Sequence, residues 1–230
     1  MKRTLLTAVL VAASALAACG KGDQFSSRDF NELIPRLMKS VAITNPTEAA
    51  SKLFDTTSPD ERRDAIAYLQ TKKYGHEAPY MKAYRMLATD PSPMVRGQAL
   101  RALGSSHDYS VVDVLARGMA DKEASVREDA AWGLRTTYTD LALDPLTAHL
   151  KVDDSDQVRI HAAAALQWSS TPKAIRTLIE AIDDNNSAVG YNAYHSLLYI
   201  THQSIPQESH KWLAWYQQTY EPKAATQKAG

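Results

Sequence analysis

Arg96, Arg127 and Arg159 each stand six residues after an aspartate, Asp90, Asp121 and Asp153, and a fourth aspartate, Asp184, continues the series. Charged groups of this kind could bind or activate a polar ligand. Their recurrence at a steady interval indicates another role, because a planar guanidinium can bridge a carboxylate and loop carbonyls of adjacent units. Other candidate chemistry fails on spacing. His76-Glu77-Ala78-Pro79-Tyr80 opens like a zinc-protease helix, but Tyr80 takes the second histidine's place and Pro79 interrupts the helix. The seven histidines, His76, His107, His149, His161, His195, His202 and His210, include no close i, i+4 pair for a metal. No phosphate-cradling glycine loop, Gly-x-Ser-x-Gly elbow or Cys-x-x-Cys-His haem site occurs. The expectation is a protein with no catalytic residue, no metal site and no cofactor.

Composition narrows the remaining classes. The 230 residues carry 26 Lys+Arg against 26 Asp+Glu, so no basic footprint exists for a polyanion and nucleic acid is not an expected partner. A single cysteine can form neither an internal disulfide nor a thiolate zinc cluster. With 44% hydrophobic residues the chain can bury enough surface to offset the entropy of ordering.

The elements that must position these residues are set by a repeat of 31 to 32 residues. Val95, Val126, Val158 and Val189 share a register. Ala99, Ala130, Ala162 and Ala193 follow four positions later, and Leu103, Leu134, Leu166 and Leu197 eight positions later. Offsets of 0, 4 and 8 place the three types on one helical stripe, with a small residue where a neighbouring helix must approach. A degenerate copy precedes them, with Arg62, Ala65 and Leu69 in register and Glu61 in place of the valine. Second helices are marked by Leu115 and Met119, Leu146 and Leu150, and Leu178 and Ile182. Helix starts are read at Asn45-Pro46, Ser58-Pro59, Ser92-Pro93 and Asp144-Pro145. No useful period-2 segment competes, so the domain reads as all-α.

The pattern Asp-(four residues)-Val-Arg-(two residues)-Ala-(three residues)-Leu resembles HEAT-like repeats, in the short form also found in phycobilin lyase subunits. The resemblance implies a right-handed α-solenoid of HEAT-like helix pairs over residues 58–221. Residues 28–57, amphipathic from Phe30 to Val41 and interrupted by Pro35, are read as capping helices, and the polar, Ala-rich stretch 222–230 as a disordered tail. The resemblance also implies an interaction surface rather than a reaction.

The N-terminus carries a second resemblance. Met1-Lys2-Arg3 precedes an uncharged run from Thr4 to Ala18, too short for a lasting membrane span. Leu16-Ala17-Ala18-Cys19 resembles the lipobox of bacterial lipoproteins. It implies a signal peptide over 1–18, lipidation of Cys19 and a tether over 19–27. Gly20, standing where an aspartate would imply inner-membrane retention, implies the outer membrane, periplasmic side.

All four tryptophans fall after residue 131. By analogy with HEAT solenoids the Val-Arg helices line the concave side. Trp132, Trp168, Tyr194 and His195, with Arg101, Arg135 and His161 as polar neighbours, then form a candidate surface for a protein partner in the cell envelope. Trp212, Trp215, Tyr216 and Tyr220 share one helical face, expected to seal the C-terminal end. The function expected is that of a non-enzymatic, lipid-anchored scaffold or adaptor. The alternative is an enzyme or enzyme-maturation factor of the lyase-subunit kind.

Overall fold

The computed structural model describes residues 45–221. The signal peptide, Cys19, the tether, the first part of the capping segment and the tail therefore lie outside the described residues. Eleven α-helices follow one another among the described residues: α1 (Pro46–Lys52), α2 (Pro59–Leu69), α3 (Ala78–Leu87), α4 (Pro93–Gly104), α5 (Val112–Gly118), α6 (Ala124–Leu134), α7 (Leu143–Val152), α8 (Asp156–Ala165), α9 (Pro172–Ala181), α10 (Ser187–Thr201) and α11 (Ser209–Tyr220). No strand interrupts them.

The Val-Arg helices α2, α4, α6, α8 and α10 stack side by side in one layer, and α3, α5, α7, α9 and α11 cover its outer face. Two amphipathic helices cannot bury their faces alone, so each pair depends on its neighbours. The inner layer is the tighter of the two. A Cβ added to Gly104 of α4 would meet the Gly133 Cα of α6 at 2.4 Å; in the outer layer α7 touches α9 and α9 touches α11. Every residue of the valine, alanine and leucine columns is fully buried.

The arginine–aspartate series forms a ladder between units. Arg62 pairs with Asp90, Arg96 with Asp121, Arg127 with Asp153 and Arg159 with Asp184, each through Nε and Nη2 at 2.7–3.0 Å. Nη1 of the same arginines donates to the carbonyl of Asp55, Asp90, Asp121 or Asp153 at the start of its own unit. Each carboxylate also accepts the backbone N–H two residues on, from Thr57, Ser92, Glu123, Ser155 and Asn186. One side chain thus closes a turn and ties it to the preceding unit. Asp55 belongs to this column and escapes the sequence register because it stands seven residues before its arginine, not six.

Several local expectations change. Asn45 and Ser58 cap α1 and α2 through the Glu48 and Glu61 amides. Ser92 is an N-cap whose hydroxyl makes no capping bond, since Asp90 already organises that turn. The helix expected to begin at Asp144-Pro145 starts earlier, at Leu143, because the 3-10 turn Asp140–Ala142 runs directly into it. Asp144 pairs instead with Lys173 at 2.5 Å. On α11, Trp212 and Tyr216 are buried against the core and Trp215 packs on it, so this helix covers the end of the stack.

Candidate interaction surface

Successive Val-Arg helices, packed side by side, bring corresponding positions next to one another. Three residues past the valine column stand Gln98, Asp129 and His161, and six past it stand Arg101 and Trp132. Arg101 lies over the Trp132 ring at 4.9 Å and donates through Nε to Asp129 at 2.7 Å. Asp129 sits against α4 where there is no side chain to displace it: a Cβ on Gly97 would meet its carboxylate at 2.4 Å. Burial pushes the Asp129 carboxyl up, opposed by Arg101. Burial, reinforced by Arg135, pushes His161 down, and Glu128 opposes it. The His161 Nδ1 and the Gln98 Nε2 are buried without a partner among the described residues.

The structure thus brings Arg101, Trp132, Arg135 and His161 into one polar and aromatic patch. Trp168 adjoins it, because its Nε1 donates to the Arg135 carbonyl at 2.7 Å. His195 is exposed further along, its ring packed against Tyr191 with centroids 4.2 Å apart and planes inclined by 49°. Tyr194 is a correction. It is part-buried on the core and meets Trp212 of α11 edge-to-face at 6.4 Å. The position five past the valine faces the next helix pair, and in the last unit α11 occupies that place. Gln98, Glu128, Asp129 and Tyr199 belong to the surface and were not singled out in the sequence. The shared register of Gln98 and Asp129 with His161 was the available signal.

Among the described residues no group of three His, Cys, Asp or Glu side chains is placed to hold a metal. No described helix is long and apolar enough to cross a membrane.

Stacked helix pairs joined by inter-unit side chains define an α-solenoid. Comparison with known families matches HEAT repeats over residues 46–135, 81–167 and 143–207, and the chain belongs to that family. It is similar in structure to the CpcE–CpcF complex of phycocyanin lyase from a Nostoc species, with TM-score 0.63, 18% identity, and 80% of this chain and 71% of that chain covered. An engineered protein gives TM-score 0.53 and 18% identity over 68% of this chain and 80% of that one. The YibA protein of Escherichia coli gives 0.57 and 19% identity over 76% and 66%. No curated protein matches in sequence.

Proposed function

We propose that this HEAT-repeat protein is a non-catalytic adaptor, held by lipid on Cys19 at the periplasmic side of the bacterial outer membrane, that binds another envelope protein through its concave groove. The observation that carries the reading is the patch of Arg101, Asp129, Trp132 and His161, where the Trp132 ring lies under a guanidinium that Asp129 holds in place. Rigid aromatic and arginine side chains of this kind dominate binding surfaces. Arg135, Trp168 and His195 extend the surface, and Tyr194 supports it from behind.

The anchor is tested by intact-mass spectrometry of membrane-fraction protein. The expected product begins at Cys19 and carries three acyl chains, enough for stable attachment where one chain is marginal. A different N-terminus, or an unmodified Cys19, overturns it.

The surface is tested by crosslinked capture from detergent-solubilised envelopes. Trp132→Ala is expected to weaken capture of one stoichiometric protein by about tenfold or more while moving the melting temperature little. Capture unchanged by Trp132→Ala, or lost only through unfolding, overturns the adaptor reading. The second reading, an enzyme or maturation factor, draws on the fold shared with the lyase complex. It predicts a small molecule that copurifies and is chemically altered.

A further inference from the structure

At the C-terminal end of the groove an open cleft of about 340 Å³ is lined by Gln167, Trp168, Ser170, Tyr199, Ile200 and His202. Its floor is aromatic and fixed. Trp168 is 51% exposed, yet its only polar atom is spent on the Arg135 carbonyl, a bond across the repeat boundary that holds the indole upright. Tyr199, 52% exposed, meets that ring edge-to-face with centroids 5.5 Å apart. Large apolar groups held half in solvent do little for the fold at that place.

The rim is different in character. The Gln167 amide, the Ser170 and Tyr199 hydroxyls and the His202 imidazole make no side-chain hydrogen bond among the described residues. Together they offer both donors and acceptors. None of the lining residues is an aspartate, glutamate, lysine or arginine, so the cleft has no fixed charge for a phosphate, carboxylate or ammonium ligand.

We propose that this cleft binds a neutral oligosaccharide, with one pyranose ring stacked on the exposed face of Trp168. The negative π face attracts the weakly positive C–H bonds on the apolar side of such a ring. The ring's hydroxyls, each a donor and an acceptor, meet a rim that needs both. A proline-rich segment could share the stacking, but its carbonyls are acceptors only and leave the acceptors of the rim unmet. The volume lies at the small end of ligand sites, one or two sugar units, and the open sides let a chain continue. The cleft shares Trp168 and Tyr199 with the proposed adaptor surface, but its saccharide chemistry does not depend on the adaptor reading.

Titration calorimetry on the full chain in detergent, with chitotriose and maltotriose as probes, tests the site. At least one trisaccharide is expected to bind saturably with a Kd of about 0.1–1 mM, in keeping with a single stacked ring. Trp168→Ala should weaken it about thirtyfold, the loss typical of an aromatic anchor. Gln167→Ala should weaken it severalfold with an unchanged melting temperature, which keeps the test valid if the tryptophan variant misfolds. Trp132→Ala, outside the cleft, should leave saccharide affinity intact, which separates this site from the adaptor surface. No saturable binding of either sugar up to about 20 mM, affinity unchanged in both cleft variants, or binding of oligoproline without either sugar would overturn the proposal.

Discussion

Replacing Asp153 with alanine is expected to cost about 3–5 kcal/mol, the loss typical of removing one partner of a buried ion pair. The Asp153 side chain is 1% exposed. It accepts from Arg127 Nε at 2.8 Å and Nη2 at 2.9 Å, from the Ser155 amide at 2.9 Å, and pairs with His149 Nδ1 at 2.7 Å. Alanine leaves the nearly buried Arg127 guanidinium with its bonds to the Asp121 and Lys122 carbonyls and with Asp154 as its remaining carboxylate, one well exposed to water and correspondingly weak as a partner. The same network sets an acid limit. Burial works to raise the Asp153 carboxyl, but Arg127, the Ser155 amide and His149 outweigh it and hold it well below the usual carboxylate range. Arg96 likewise holds Asp121 down, and Arg159 holds Asp184 down against burial. A folded value below the unfolded value of about 3.9 stabilises fully above that pH and is lost as pH falls through the folded value. Urea unfolding should therefore show the full penalty of Asp153→Ala at pH 7 and a smaller one near pH 3. Equal penalties at both would remove the ladder from the account of stability.

Leu134→Ala is expected to cost about 2–5 kcal/mol. Leu134 is fully buried at the end of α6, in the leucine column of a central unit. Two terms add, the lost burial and the cavity left behind. The cavity cannot readily close, because α4 and α6 already touch backbone to backbone at Gly104 and Gly133. The upper half of the range is expected for that reason, a fall in melting temperature of about 8–15 °C for a domain of this size. A loss within about 0.5 kcal/mol would place Leu134 outside the core.

Those two residues also show how much the sequence makes legible. The valine, alanine and leucine columns are buried because stacking demands the same shape at every unit, and an identical demand leaves an identical residue. Arg96, Arg127 and Arg159 repeat for the same reason, since each must reach the next turn. The concave surface carries no such demand. Asp129 and Gln98 share the position of His161 but not its chemistry, so the register marks the place without marking the residue types that serve there. Tyr194 follows the same helix as His195, yet one step of about 100° around the axis turns it toward α11. Which neighbour waits there is a property of the assembled stack. Asp144 illustrates the remaining difficulty, because a residue able to cap a helix serves equally well in an ion pair when the preceding turn supplies the start.

Gly190 occupies the place that arginine holds in the preceding units. A Cβ there would meet the Ile182 carbonyl at 2.5 Å, so the position has no room for the long side chain that propagates the ladder. Each arginine reaches forward to the next aspartate, which gives the array a polarity and makes its last arginine, Arg159, its final forward link. Among the described residues the ladder therefore has a direction and an end: beyond Asp184 no further guanidinium is handed on, and the burial of Trp212 and Tyr216 of α11 against the core closes the stack in its place.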